Sequence, residues 1–350
     1  MRRADRRSCA VRAGEPRSAA SPCERSHAWT SLLGVTYDVR RGPDPEDAGL
    51  ERVTLVSPDG VEAAFLPGHG MLGTSLSLYG TELLARRGGL PAHPEKGWSF
   101  GIPLLAPWAN RLRTHDQRVG DASWTVGPGA IPDDNGHPIH GLVAMLPFEV
   151  ARAEASEGGA VLHGLLEFGP DLPSFPSFPF PHHLDVEILL AGRVLRVSTT
   201  LTPTGDAAVP VAFGWHPWFD LADVPRSEWV VEAPFTDQAV LDAENLPTGE
   251  VLDGIFPSGP LADRFMDDVW LGVPYRAEAS VSGGGRRVTV RYVEGYDVAV
   301  VFAPLIFDAV CFEPMTARTN PFDGWDRLRV VEPGSSFTAV FEIEAADGGA

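Results

Sequence analysis

The chain has little lysine and cysteine: one lysine, Lys96, and three cysteines, Cys9, Cys23 and Cys311, among 350 residues. Schiff-base chemistry would have to depend on that single lysine, and no glycine-rich segment leads into a Gly-Lys-Ser/Thr phosphate loop. The cysteines have neither a metal-binding spacing nor the even number of a disulfide framework, which favours a reducing, cytoplasmic location. No apolar run reaches the length of a membrane span, so we expect a soluble protein.

Positive charge is scarce outside the N-terminus. The formal net charge is −19, yet residues 1–41 hold nine arginines against four acidic residues, so the remainder of the chain carries −24. A body this acidic repels nucleic acid and anionic lipid, and we expect neither as a partner. It also disfavours phosphorylated substrates, although a local basic pocket could override the overall charge.

Helical periodicity is nearly absent, whereas short alternating runs separated by turns recur along the chain. Glycine (37) and proline (32) make up about a fifth of the residues, which is typical of many turns between short elements. The clearest hairpins pair residues 184–191 with 194–201 and residues 276–281 with 287–293. So many short antiparallel strands predict an all-β protein built as two packed sheets or a large sandwich.

The N-terminal segment differs in composition from the rest. Residues 1–45 are rich in Arg, Ser, Ala and Pro and have no hydrophobic period, which predicts a disordered extension or an over-long assigned start. No linker divides the remainder, so we expect residues 46–350 to form one domain, in a monomer or a weak homodimer.

One imidazole lies among aromatic side chains in residues 213–221. His216 has Trp215 before it and Pro217 and Trp218 after it. Flat apolar faces beside a polar group suit a sugar, whose C–H faces stack on rings while its hydroxyls need hydrogen-bond partners. A buried core histidine that satisfies one backbone carbonyl is an equally open interpretation of this stretch alone.

A glutamate ends an apolar run near the C-terminus. Glu313 follows residues 309–312 and precedes Pro314, which stops a strand ladder. Burial against apolar neighbours would raise the pKa of this carboxyl toward the working pH, as a general base requires. Glutamates in such apolar surroundings are rarely without a function.

Other polar groups could meet His216. Asn110 and Arg111 follow an apolar run, and the arginine could donate two hydrogen bonds to neighbouring hydroxyls. Asp267 and Asp268 lie beside Trp270 and could accept hydroxyl protons. Surface ion pairing and solvated turn acids are the simpler alternatives for each.

The loop at residues 133–142 contains two histidines. His137 and His140 could form a metal pair with Asp133 or Asp134, but Pro138 breaks the geometry that would aim both rings at one ion. A neutral His140 that donates to a hydroxyl is the better functional interpretation, and we expect no metal.

Taken together, these stretches resemble the aldose 1-epimerase (galactose mutarotase-like) family over about residues 50–345. The matching motifs share their order along the chain: Ala109-Asn110-Arg111, His140-Gly141-Leu142, His216-Pro217-Trp218-Phe219, Asp267 with Trp270, and Phe312-Glu313-Pro314-Met315-Thr316. The resemblance implies a β-supersandwich, no cofactor, and interconversion of the α and β anomers of a free aldose. Pro-Trp after His216, instead of Ser-Tyr, is closer to a less-characterised bacterial branch.

The resemblance also implies roles for individual residues. Glu313 would take the proton from the C1 hydroxyl, and His216 would protonate the ring oxygen. The remaining side chains would bind the sugar: Arg111, His140, Asp267, Asn110 and Trp218. Opening a hemiacetal needs one proton removed and one supplied, so a carboxylate and an imidazole suffice.

Two other functions stay open at this point. A hexose-6-phosphate 1-epimerase on the same fold would need a cationic cluster near C6 of the sugar. A carbohydrate-binding or regulatory module would keep the pocket but lack turnover.

Overall fold

The computed structural model describes residues 36–91 and 100–347. Nearly all regular structure within these residues is β-strand, and every strand ladder is antiparallel. The prediction of an all-β protein is therefore confirmed. In the same residues, no helix is long and apolar enough to cross a membrane.

The described strands are numbered here in chain order. They are β1 (Asp38–Pro43), β2 (Glu51–Val56), β3 (Val61–Leu66), β4 (Leu72–Leu78), β5 (Thr81–Glu82), β6 (Leu104–Leu105), β7 (Asp116–Val119), β8 (Ala122–Thr125), β9 (Ile131–Pro132), β10 (Pro138–Ile139), β11 (Glu149–Ser156), β12 (Gly159–Phe168), β13 (His182–Ala191), β14 (Val194–Pro203), β15 (Val209–Val211), β16 (Gly214–Trp215), β17 (Trp218–Phe219), β18 (Val230–Glu232), β19 (Thr236–Leu241), β20 (Pro247–Ile255), β21 (Gly259–Pro260), β22 (Met266–Gly272), β23 (Glu278–Gly283), β24 (Arg286–Glu294), β25 (Val298–Ala303), β26 (Val310–Met315), β27 (Arg329–Val331) and β28 (Phe337–Asp347). Two 3-10 helices, Phe175–Ser177 and Arg226–Glu228, lie in the connections.

Three large sheets organise these strands. The first has the order β1-β2-β3-β4-β5, and a nine-stranded sheet has the order β11-β12-β13-β14-β28-β24-β23-β18-β21. An eight-stranded sheet has the order β20-β19-β22-β25-β26-β16-β6, with β17 also paired to β26. The nine- and eight-stranded sheets share a core: the Trp215 and Phe341 rings lie 5.9 Å apart, and the Trp215 indole N–H donates to Thr199 (3.0 Å).

Both predicted hairpins are present. β13 and β14 pair across Gly192 with Leu190 opposite Leu195, as the alternation of apolar residues predicts. In the second hairpin, β23 and β24 are joined by only Gly284 and Gly285, at φ of 54° and 77°. Two successive positive φ angles define the tight turn that matches strand twist, so the strands run closer to the turn than the sequence pattern indicated.

The eight-stranded sheet has two unlike faces. Val310 and Phe312 of β26 belong to the main hydrophobic core. Because successive residues of a strand point to opposite faces, Cys311, Glu313 and Met315 lie on the other face. All six residues of β26 are buried, since strands flank it on both edges and both faces are covered. The sheet therefore presents a buried carboxyl on the face away from the core.

The ordered sheet begins ahead of the boundary predicted at residue 46. β1 pairs with β2, placing Arg41 opposite Val53, within the compact unit Val35–Ala350. The remainder of the predicted extension, residues 1–35, lies outside the described residues.

Candidate active site

Strand register brings His216 and Glu313 together. Gly214 of β16 lies opposite Met315 of β26. Two residues further along each antiparallel strand, in opposite directions, are His216 and Glu313, and β17 then resumes the same register. Directly opposed residues in such a pair share one face of the sheet. The two side chains are therefore neighbours although they lie almost a hundred positions apart in the sequence.

Two prolines interrupt the ladder at this point. Pro217 follows His216, and Pro314 follows Glu313, and neither can donate a backbone hydrogen bond. The backbone N–H of His216 instead donates to the carbonyl oxygen of Pro103, 3.1 Å away, just before strand β6. The hydrogen bond to Pro103 thus fixes the backbone at His216, while the imidazole faces Glu313.

The His216–Glu313 pair is buried and close. His216 Nε2 lies 3.3 Å from Glu313 Oε1, and the side chains are 6% and 2% exposed. Burial, reinforced by the nearby Asp267 carboxyl, raises the pKa of Glu313 well above its usual range, against the opposing charge of Arg111. Burial lowers the pKa of His216 to about 3. Both shifts disfavour an extra charge, so the two groups together hold one proton over a wide pH range.

Aromatic rings fix the imidazole of His216. It stacks on Trp218 with ring centroids 4.6 Å apart and an interplanar angle of 4°, and it forms a T-shaped contact with Phe302 with ring centroids 6.3 Å apart. Trp218 lies opposite Cys311 in the strand register, on the same face as Glu313. The indole predicted to bind substrate therefore lines the cavity and also orients the proposed acid.

His140 is held in one neutral form. The backbone N–H of Asn110 donates to His140 Nδ1 at 3.1 Å, so the ring proton resides on Nε2. Burial lowers the pKa of His140 well below its usual value, and the charges of His216 and Arg111 add to this. Its ring lies 5.6 Å from that of His216. A neutral imidazole of this kind can donate Nε2–H to a hydroxyl.

The backbone conformation around His140 restricts which residues can occupy these positions. Both His140 and Asn110 have positive φ, 60° and 58°. The next residue, Gly141, has φ of 77°, and a Cβ there would lie 2.0 Å from the carbonyl oxygen of Ala106. Only glycine fits so close an approach. The His-Gly motif is therefore a packing requirement that places the imidazole as well as a source of chemistry.

The carboxylate of Asp133 orients the guanidinium of Arg111. Its Nε donates to Asp133 at 2.8 Å, and its Nη1 donates to the side-chain oxygen of Asn110 at 3.2 Å. Although burial opposes it, hydrogen bonds from Arg111 and from the backbone of His137 and Asn135 hold the pKa of Asp133 below its usual value. The anchored guanidinium keeps donors for a ligand in the cavity.

Asp267 lies on the same face as Glu313. It is opposite Phe302 in the register of β22 and β25, and Phe302 is opposite Cys311. Burial raises the pKa of Asp267, while Arg111 opposes the shift. Its neighbour Asp268 points to the other face of the sheet and accepts a hydrogen bond from Gln238 (2.7 Å).

These side chains surround one cavity of about 450 Å³, within the usual size range of small-molecule sites. All seven residues predicted to form the site line it: Asn110, Arg111, His140, His216, Trp218, Asp267 and Glu313. Carboxyl, imidazole, guanidinium and amide groups converge there beside the rings of Trp218 and Phe302. The arrangement can transfer protons and hydrogen-bond a polyhydroxylated ligand.

Sequence reasoning missed three polar residues of the cavity: Arg87, Asn135 and Asn245. Arg87 and Asn245 lie outside the stretches considered from sequence, whereas Asn135 lies in the 133–142 loop but was given no role there. Asn245 offers a partial signal, because it has φ of 58° in a turn where Asp242 accepts two backbone N–H bonds. Nothing in the sequence indicates that this turn reaches the cavity.

The histidines of the loop do not form the metal pair considered from sequence. His137 Nε2 lies 3.2 Å from Glu244, whereas His140 Nδ1 is bonded to Asn110. His182 is a core histidine bonded to a backbone carbonyl (2.7 Å). Within residues 36–91 and 100–347, neither His137 nor His140 belongs to a group of three possible metal ligands.

The fold of this chain is similar to that of several solved structures. A galactose mutarotase-like protein from Clostridium acetobutylicum matches with a TM-score of 0.79 and 17% identity, over 89% of this chain and 99% of that one. A galactose 1-epimerase from Lactobacillus acidophilus NCFM matches at 0.70 and 14%, over 90% and 98%. An aldose epimerase homologue from C. elegans matches at 0.68 and 14%, over 89% and 100%. The predicted galactose mutarotase-like β-supersandwich is thereby confirmed.

The sequence comparisons name the family. No curated protein matches the chain. A family model described as Aldose 1-epimerase matches residues 81–344, about three quarters of the sequence. The resemblance drawn from the short motifs is confirmed, and the chain belongs to the aldose 1-epimerase family.

Proposed function

We propose that this protein is a mutarotase that interconverts the α and β anomers of a free aldose. One observation carries the proposal: His216 and Glu313 lie 3.3 Å apart, buried, on the wall of a cavity of sugar-binding character. The anomeric carbon of a pyranose carries two oxygens, the C1 hydroxyl and the ring oxygen. A carboxyl and an imidazole this close can address both oxygens at once.

The reaction needs one proton removed and one supplied. The Glu313 carboxylate accepts the proton of the C1 hydroxyl while protonated His216 donates to the ring oxygen, and the C1–ring oxygen bond breaks. Rotation about the C1–C2 bond of the aldehyde then presents its other face. Ring closure returns each proton along the same path, so the pair ends the cycle with the single proton it started with.

The other cavity residues position the sugar. Arg111, anchored by Asp133, donates to ring hydroxyls, and Asp267 accepts from them. The Nε2–H of His140 donates beside the reacting oxygens, since its ring lies 5.6 Å from that of His216. Asn110 and Trp218 complete the walls. Fixed donors and acceptors of this kind hold the anomeric centre against the acid and base.

Exchange spectroscopy by NMR tests the proposal. Glucose, galactose, xylose and arabinose should each be scanned for anomer exchange faster than the uncatalysed rate. We expect at least one free aldose to respond. Binding of a sugar without acceleration of its exchange would instead support the carbohydrate-binding module, and neither binding nor exchange would reject the proposal.

A second candidate is supported by Arg87. This arginine lines the cavity with its guanidinium 4.8 Å above the ring of Phe307, and it makes no ion pair with any described residue. A phosphate at C6 would find a cation there, as a hexose-6-phosphate 1-epimerase requires. Faster exchange of glucose 6-phosphate than of glucose, abolished by Arg87→Ala, would favour this candidate.

The setting of the protein remains a prediction. The acidic composition and the absence of a cysteine framework support a cytoplasmic enzyme whose partner is a monosaccharide. A monomer or weak homodimer is expected, without nucleic acid or membrane as a partner.

A further inference from the structure

A buried thiol lies beside the proposed acid–base pair and has no role in the reaction above. Cys311 precedes Glu313 by two residues on β26, so both side chains lie on the same face of the sheet. The thiol is fully buried and unpaired with any other cysteine. One donor atom from each of Cys311, Glu313 and His216 lies within 4.8 Å of the other two.

This trio is distinct among the described residues. Within residues 36–91 and 100–347, no other group of three or more His, Cys, Asp or Glu side chains brings its possible ligand atoms this close together. It combines a thiol, an imidazole and a carboxyl, which are the three side-chain types that bind Zn²⁺. Zinc ligands lie about 2.0–2.3 Å from the ion, so in a tetrahedron they are roughly 3.3–3.8 Å apart. A small contraction of the trio reaches that spacing.

We propose that His216, Cys311 and Glu313 form an inhibitory site for a thiophilic divalent cation such as Zn²⁺ or Cd²⁺. Three protein ligands leave a fourth position, which faces the cavity and can hold water. The ion would occupy both members of the pair that the proposed reaction needs. Its effect on turnover therefore rests on the proposed function, whereas its binding does not.

Charge balance favours occupation of this buried position. Zinc ligands bind in their deprotonated forms, here as a thiolate, a carboxylate and a neutral imidazole. On binding, the thiol and the pair each release one proton. The thiolate and carboxylate then neutralise the two charges of the cation, so no net charge is buried.

The ion has a route to the thiol. His216 and Glu313 line the cavity, whereas Cys311 lies behind them in an apolar cluster with Trp218. An ion entering from the cavity meets the carboxyl and imidazole first and the sulfur last. Because a sugar occupies the same space, substrate and cation should compete.

Cadmium titration of the full-length chain tests binding without relying on turnover. Cadmium bound to a thiolate gives a charge-transfer absorbance in the ultraviolet. We expect one Cd²⁺ per chain at this site, and the Cys311→Ala chain should bind it at least about tenfold more weakly. That variant retains Cys9 and Cys23, so any signal from those thiols appears equally in both titrations. Cys311→Ser serves as a second variant if alanine perturbs the fold.

Inhibition provides the second measurement. Zn²⁺ should slow anomer exchange by the parent chain, a chelator should restore it, and Cys311→Ala should turn over sugar normally with at least about tenfold less sensitivity to Zn²⁺. Equal absorbance, or equal inhibition, in parent and Cys311→Ala would overturn the site. A parent chain that binds Cd²⁺ through Cys311 but leaves every aldose unchanged would keep the site and reject the mutarotase proposal.

Discussion

The molecule contains two histidine–carboxylate pairs of similar separation in very different surroundings. His216 and Glu313 lie 3.3 Å apart, with side chains 6% and 2% exposed. His163 and Asp185 lie 3.1 Å apart on neighbouring strands of the nine-stranded sheet, with side chains 29% and 34% exposed. Distance alone would rank the second pair first.

Surroundings separate the two pairs. The His163–Asp185 pair lies in a groove whose other lining residues, Glu187, Ser198 and Thr200, are polar and carry no ring on which a sugar could stack. Water there solvates the polar atoms of both side chains and weakens their interaction. The His216–Glu313 pair is backed by Trp218 and shielded from solvent, so burial lowers the pKa of His216 and raises that of Glu313. Burial and aromatic walls, more than proximity, distinguish the candidate active site.

The sharpest test of this contrast is Glu313→Gln. The amide keeps the shape of the side chain but cannot accept the C1 proton, so we expect anomer exchange to fall by about 10²–10⁴-fold. Asp185→Asn is the matched change at the partly exposed His163–Asp185 pair and should leave the rate unchanged. Parent-like exchange by purified, folded Glu313→Gln would remove Glu313 from the mechanism.

Replacing the imidazole should have the next largest effect. His216→Asn removes the donor to the ring oxygen and should slow exchange by roughly 10²-fold or more, with sugar binding retained because Arg111 and Asp267 are intact. His163→Asn is the control. Titration calorimetry with the sugar separates the two quantities. A loss of binding with unchanged turnover at saturation would assign His216 to substrate positioning instead.

The pH profile sharpens the comparison further. The His216–Glu313 pair is expected to work while it holds one proton. That proton resides on either Glu313 or His216, and the balance between these two arrangements does not change with pH. Because the pKa of His216 is lowered to about 3, acid should begin to reduce the exchange rate only well below pH 6.5. The alkaline loss should lie above pH 4.5, since the pKa of Glu313 is raised. A halving of kcat/KM between pH 7 and pH 6 would contradict a shared proton.

The smallest effect is expected at the partly exposed His163–Asp185 pair. His163→Ala removes a partly solvated contact, so the free energy of unfolding should change by about 0.5 kcal/mol or less and anomer exchange should stay at the parent rate. Urea unfolding and NMR exchange measure these two quantities. A large loss of activity in His163→Ala would show that the nine-stranded sheet takes part in turnover.

Much of the architecture could be predicted from local patterns. Alternating apolar residues identify the β13–β14 hairpin to within two residues at its outer ends, because each inward side chain must reach the core. Glu313 stands out since a carboxyl at the end of an apolar strand needs an explanation. The Gly284-Gly285 turn was harder to delimit, because flanking glycine and serine suit both turn and strand.

The geometry of the site could not be predicted in the same way. The opposition of His216 and Glu313 depends on pairing between β16, β17 and β26, which lie far apart in the sequence. Arg87 and Asn245 reach the cavity only because the sheet order brings their loops to its mouth. Residue spacing contains no information about sheet order, so the family resemblance supplied what local patterns lacked.

The division between sheet and turns has a consequence for diversification. The proposed acid and base, His216 and Glu313, are fixed by strand register, whereas Asn135 and Asn245 belong to turns that line the cavity. His137 and Glu244 connect these two turns at 3.2 Å. If the proposed function holds, insertions or exchanges in these turns should change which sugar is admitted and leave the proposed acid–base pair intact. A library that aims to change substrate preference should therefore vary the turns of Asn135 and Asn245 and keep strands β16, β17 and β26 unchanged.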